Sequence, residues 1–292
     1  MNQSLGLGWL RAETALRPMH AGDLATVHRL TQLMSWPYRL EDCAQLFELG
    51  AGTIVSDSDG RTVGAGMRWG FGREAGTIGM IVVVPERQGK GIGRALVTAL
   101  IAESEPRALM LNATAEGLEL YRKLGFDQIG LVRQHQAPWR GAAVFPPAPT
   151  IPVRRASTTD HAALCAIDAA AFGADRSAVI SRLLAMGEAW VVERGDRPAG
   201  FAILRRFGRG MMIGPIVAPF EDAAIALVSA AGKASSHGVL RVDIPAQADQ
   251  LSCWLTAAGL PVVDTVTAMM RGAWPDRHEE LRRFSLALQA LG

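Results

Sequence analysis

Six consecutive residues, Gln88-Gly89-Lys90-Gly91-Ile92-Gly93, carry the densest chemical signal in this chain. Glycines at alternate positions let a backbone turn tightly and approach a ligand. Lys90, with Arg87 and Arg94 close in sequence, adds positive charge. Where such a turn opens a helix, the first N–H groups of that helix have no partner within it and point out of the positive end of its dipole. The combination suits a phosphate or diphosphate.

The neighbouring residues supply the elements that such a loop needs. Thr77 to Val84 reads as a strand. Ile81-Val82-Val83-Val84 are β-branched in a row, which suits a strand covered on both faces. Pro85 lacks an N–H and stops the ladder. Arg94 to Ala102 reads as a helix, with Ala95, Leu96, Ala99 and Leu100 at helical spacing. A Walker loop would need Ser or Thr after Gly89-Lys90, where Gly91 stands, and a dinucleotide fingerprint would need Gly-x-Gly-x-x-Gly. The loop instead resembles the Gln/Arg-x-x-Gly-x-Gly/Ala signature of the GCN5-related N-acetyltransferase (GNAT) superfamily. A second hallmark of that superfamily is similar to Leu120-Tyr121-Arg122-Lys123-Leu124-Gly125-Phe126. The resemblance covers residues 12–136.

It implies an acetyl-CoA-dependent N-acetyltransferase, an acyltransferase that moves acetyl to the primary amine of a small molecule by direct attack in a ternary complex. Acetyl-CoA would be a cosubstrate, with Gln88, Gly89, Lys90, Gly91, Ile92, Gly93 and Arg94 at its diphosphate. Backbone groups of Val82, Val83 and Val84 would bond its pantetheine arm, and Asn112 would either bond the coenzyme or cap the following helix. Tyr121 would protonate the departing thiolate. Trp36 and Tyr38, between two helices, would line the acceptor pocket or simply pack the corner. The superfamily often places a carboxylate on the central strand as general base, but Thr77 to Val84 holds no Asp or Glu. Glu74, Glu41, Asp42, His28 and His135 remain as alternatives, as does deprotonation through solvent. The missing carboxylate keeps a second reading open, a non-catalytic acyl-CoA sensor. Acylation of a protein amine is a third.

Composition bounds the rest. The 292 residues suggest two domains, and 49% apolar against 20% charged residues is ordinary for a globular protein. A net charge of +2 gives no case for nucleic-acid or membrane binding. Cys43, Cys165 and Cys253 form neither a disulfide framework nor a metal site, so no metal is expected. The cysteine pattern suits a reduced, intracellular protein, Met1 to Leu10 lacks the features of a signal peptide, and a cytoplasmic monomer or homodimer is expected.

The expected fold is mixed α/β: two tandem GNAT-like folds, each a mostly antiparallel sheet flanked by helices. The first spans 1–137. Prolines 138, 146, 147, 149 and 152 mark 138–152 as a linker unfit for an inner strand. Residues 153–275 repeat the order of elements, with Ala218-Pro219 matching Val84-Pro85. Glu221 and Asp222 stand there in place of the glycine loop and Leu255 in place of Tyr121, so this copy is not expected to bind the coenzyme. It is similar to the C-terminal domain of bacterial YitH-like proteins, on the run Met269 to Gly272. Asp243 is its candidate buried carboxylate, functional or a helix cap. Residues 276–292 read as a terminal helix, with Leu281, Phe284, Leu288 and Leu291 on one side.

Overall fold

A computed structural model describes residues 14–139, 145–235 and 238–292. The reading of Met1 to Leu10 and part of the linker therefore lie outside the described residues. Contact density divides the chain into two compact units. One comprises residues up to Trp69 together with Ile78–Glu105; the other comprises Gly70–Thr77 and Pro106–Gly292.

The first unit holds β1 (Thr14–Pro18), α1 (Leu24–Leu33), α2 (Leu40–Leu49), β2 (Ala51–Asp57), most of β3 (Thr62–Phe71), the later part of β4 (Ala75–Val83) and α3 (Ile92–Ala102). The strands follow in chain order, β1 to β4, with antiparallel β1–β2 and β2–β3 pairs. Gly60 takes φ +76° in the β2–β3 turn, where glycine is favoured. Helix α3 buries Ile92, Leu96, Val97, Leu100 and Ile101. It lies so close to β3 that a Cβ on Gly66 would come within 2.8 Å of Leu100.

The second unit holds the start of β4, then β5 (Ala108–Ala113), α4 (Leu118–Lys123), β6 (Asp127–Trp139), β7 (Val153–Arg155), α5 (His161–Phe172), α6 (Ser177–Met186), β8 (Gly187–Arg194), β9 (Arg197–Phe207), β10 (Gly210–Ala218), α7 (Glu221–Ala234), β11 (Gly238–Pro245), α8 (Asp249–Ala257), β12 (Val262–Arg271) and β13 (Arg282–Ser285). From β7 to β12 the elements repeat the order of β1 to β6. Most strand pairs are antiparallel; β4–β5 and β10–β11 are parallel.

The last strands of the two copies are exchanged. β12 lies between β5 and β6, while β6 lies between β12 and β11. Each copy thus completes its sheet with the other's final strand. The expected boundary at 138–152 is crossed accordingly: β6 runs on through Pro138 to Trp139. Pro138 is tolerated because β12 has already left its other side, so only the β11 ladder remains there. Beyond the undescribed stretch, Phe145 stacks on Trp254 at 4.8 Å, and Trp254 Nε1 donates to the Pro147 carbonyl, which seats the segment on α8.

The terminal helix over 276–292 is not formed. Residues Arg282–Ser285 are instead a strand, antiparallel to β10 at Ile216, Val217 and Ala218. Residues Phe284 to Leu288 are all buried, which a one-sided helix could not achieve. β10 and β11 pair only at Met211 and Met212 and then part. β13 fills the opening: Ser285 Oγ donates to Ile213 O, and the Leu286 N–H donates to Asp243 O.

Candidate active site

The loop of the first unit has the geometry of an anion cradle. Pro85–Arg87 forms one 3-10 turn. Gly89 and Gly91 then adopt φ +73° and +83°, and Gly91 is the N-cap of α3. The first bond of the helix runs from Ala95 N to Gly91 O, so the N–H groups of Ile92, Gly93 and Arg94 precede it. No atom lies within 4 Å of where a Cβ on Gly89 or Gly91 would stand. Lys90 and Arg94 are exposed beside the loop, while Ile92 is buried and anchors it. The Gln88 amide donates to Val83 O at 3.0 Å, and Arg87 lies 3.3 Å from Asp57, which takes part of its charge.

The strand leading into the loop refines the expectation for Val82, Val83 and Val84. The Val84 N–H donates to Val63 O on β3, and Val82 O faces Gly64 on the same strand. Alternation along a strand then turns the Val83 N–H away from β3. A residue that pattern reading missed is Met80, at φ +51° in the middle of β4. A non-glycine residue in the left-handed region marks a local kink in the ladder, and such kinks redirect backbone donors next to active sites. Gly79, just before it within the strand, is a sequence sign of such a kink.

Trp36 and Tyr38 pack on each other at 6.3 Å, both half-buried, in the loop between α1 and α2. The Tyr38 carbonyl accepts bonds from His28 Nε2 and from Gln32. His28 therefore braces this loop. Asp42 is buried against Arg39 and closes the N-terminus of α2.

Tyr121, in the second unit, is on α4 with its ring edge-on to Phe126 at 6.1 Å. Burial pushes its phenol up to about 12, so it stays protonated at neutral pH. Asn112 neither caps a helix nor stands free: its Nδ2 donates to Gln289 O at 2.7 Å. β4 and β5 pair only from Ala75–Ala108 to Thr77–Met110. Thr77 Oγ1 donates to Ala290 O, so the closing segment of the chain lies along the end of that pairing.

Other candidates are assigned elsewhere. Glu74 is exposed in the turn before β4. Asp243 is fully buried and doubly bonded to Arg241 on its own strand, at 2.8 and 2.6 Å; it is neither a cap nor a free base. Burial pushes the Cys43 thiol up to about 12, which removes it as a nucleophile. His135 is fully buried. Its Nδ1 donates to Leu260 O at 2.7 Å, so Nε2 carries no proton and accepts from Ser252 Oγ at 3.0 Å.

Burial holds the His135 pKa below its ordinary value. The unfolded chain then takes up a proton that the native protein refuses, and stability falls as pH drops below about 6.5 towards the native pKa. Urea unfolding of the wild type is expected to lose up to about 1.4 kcal/mol per pH unit through this one group. A His135→Gln variant should show a shallower slope between pH 7 and 5; parallel slopes would exclude the assignment.

In the second copy the corresponding positions are put to structural use. Glu221 at the start of α7 accepts the Leu251 N–H, and Asp222 accepts from Gln250, so both acidic residues fix the start of α8. Leu255 is fully buried. With β13 seated between β10 and β11, the opening that a pantetheine arm would need is occupied by the chain itself.

Two family models, each described as an acetyltransferase (GNAT) domain, match residues 40–137 and 164–282. An uncharacterized N-acetyltransferase of Bacillus subtilis, YitH, is 30% identical over 237 residues, covering 78% of this chain and 81% of that protein. A putative acetyltransferase from Pyrococcus horikoshii has the same fold, with a TM-score of 0.77 at 18% identity over 100% of this chain and 99% of its own. A GCN5-related N-acetyltransferase from Sphaerobacter thermophilus aligns with a TM-score of 0.64 at 15% identity, over 90% and 96% of the two chains. No helix among the described residues is long and apolar enough to cross a membrane. With a glycine loop that opens a helix, a tyrosine on α4 and GNAT matches in both halves, the chain belongs to the GCN5-related N-acetyltransferase superfamily and is an acyltransferase of the N-acetyltransferase type.

Proposed function

We propose that this enzyme transfers acetyl from acetyl-CoA to the primary amine of a small molecule, by direct attack in a ternary complex. The observation that carries the reading is the open, left-handed Gly91 cap, which leaves the first N–H groups of α3 exposed beside Lys90 and Arg94. Those donors and charges fit a diphosphate. The coenzyme contributes an acyl group already activated as a thioester.

The chain's own residues do the rest. Gly89 to Arg94 bind the diphosphate. The Val83 N–H, turned away from β3, is available to the pantetheine arm. The backbone around Met80 offers an N–H to the oxygen that becomes negative as the amine attacks. As the new C–N bond forms and the C–S bond breaks, Tyr121 gives its proton to the sulfur. The amine's proton leaves to solvent; His135, Asp42 and Asp243 are each held in other bonds. The second copy holds no coenzyme.

Release of free thiol from acetyl-CoA, measured over a panel of amines, tests this reading. Tyr121→Phe should lower kcat by about 10²-fold with coenzyme affinity unchanged, the size typical of a lost general acid. The absence of a carboxylate on β4 favours a second reading, a sensor that binds acyl-CoA without turnover. Tight binding with no thiol released from any amine, peptide amines included, would establish that one.

A further inference from the structure

A cavity of about 140 Å³ in the second unit borders the last β4–β5 pair, between Thr77 and Met110. Its walls are apolar at Met110, Ile129, Leu131 and Leu286. Its polar side chains are the Arg277 and Arg283 guanidinium groups, the Asn112, Gln247 and Gln289 amides and the Thr77 hydroxyl, and Gly292 also lines it. No Asp or Glu side chain does. Among the described residues neither arginine has a carboxylate partner. Arg283 lies over the Phe172 ring at 4.8 Å, and Arg277 reaches only the Met110 sulfur. Gln289 lines the same cavity, and its Nε2 is buried with no hydrogen-bond partner.

A buried amide donor without an acceptor is costly, and so is a desolvated cation without a counter-charge. Burial, then the like charges of Arg277 and Arg176, pull the Arg283 pKa down. The nearby Asp168 offsets this only in part, as both its oxygens bond Arg176 at 2.8 Å. The cavity is small, walled by hydrocarbon, and lined by planar donor forks. That set matches a carboxylate on a short organic molecule.

We propose that this cavity seats the carboxylate of the acceptor, so that the amine substrate is an amino acid or a similar amino-carboxylate. The proposal rests on the acetyl-transfer reading for its word acceptor, and on the cavity alone for its word carboxylate. Charge-assisted bonds of this kind correspond to about 10²-fold in affinity.

The test titrates the full chain with the twenty L-α-amino acids, their carboxamides and inorganic phosphate, by calorimetry and thermal shift, and then follows thiol release. At least one amino acid should bind about 10²-fold more tightly than its carboxamide. Arg283→Met should erase that difference by weakening only the carboxylate form, with coenzyme affinity unchanged, and Arg283→Lys should restore part of it. If Arg283→Met does not fold, Arg277→Met serves with the same expectation in smaller measure. Equal binding of acid and amide, binding of phosphate but of no amino acid, or no binding at all would overturn the proposal. An amino acid that binds through Arg283 with no thiol released upholds the carboxylate site and counts against acetyl transfer. Transfer to amines with no carboxylate preference does the reverse.

Discussion

Gly91→Glu is expected to abolish coenzyme binding, with calorimetric affinity falling at least about 10²-fold, while the protein stays folded. The backbone at Gly91 is left-handed, so any side chain there costs about 1–2 kcal/mol of conformational strain. No neighbour would clash, since nothing lies within 4 Å of the added Cβ. The loss therefore comes from the carboxylate, which sits where the diphosphate needs bare N–H groups and repels it. Strain and charge separate cleanly by comparison. Gly91→Ala carries the strain alone and should weaken binding far less. Gly195→Glu carries the same strain, at φ +63° and also in open space, on the β8–β9 turn of the second copy; it should leave binding unchanged. Normal coenzyme binding by Gly91→Glu would mean that the diphosphate sits elsewhere.

The second large effect is on stability. Asp168→Asn should destabilise the protein by about 3–5 kcal/mol. Asp168 and Arg176 are both completely buried and joined by two bonds of 2.8 Å. Arg176 also donates to Leu291 O at 2.9 Å and Gly292 O at 2.5 Å, and its guanidinium lies 3.9 Å from the Phe172 ring. A neutral amide at 168 leaves that guanidinium buried without its counter-charge, and the cost is the cation's desolvation. Replacing both residues with apolar ones, Asp168→Leu with Arg176→Met, should recover part of the loss. Urea denaturation gives the energies. Limited proteolysis gives the location, with cleavage appearing first at 286–292, which Arg176 holds down. A change under about 1 kcal/mol would show that the pair is dispensable.

What could be read from the residues follows the range of the interactions. Ile81 to Gly93 declares itself because strand, stop and helix cap all act within a few positions. Leu40–Leu49 and Ser177–Met186 are helices as their apolar spacing and flanking glycines require. The second copy is legible as a repeat because the order of elements survives even where its loop chemistry does not. The spacing of Leu281, Phe284, Leu288 and Leu291 misleads, because a helical interval also fits a segment enclosed on every side by β10 and β11. The kink at Met80 falls on a methionine and shows in the residues only through Gly79 beside it. The exchange of β6 and β12 leaves no local trace, since each strand alternates equally well beside either neighbour. Asn112 carries the family's position but is engaged by Gln289, far along the chain, and no pattern near residue 112 announces that.

The exchanged strands have a consequence for biosynthesis. β5 acquires its antiparallel neighbour only when β12 arrives, and the partners Ala113 and Thr267 are about 150 positions apart. The first copy leaves the ribosome with the flank of β5 bare, and waits while nearly the whole second copy is translated. Expressed alone it would present that flank to other chains, an invitation to aggregate. The glycine loop can form early, but its platform is finished last, so the enzyme gains activity only after almost all of its chain has been made.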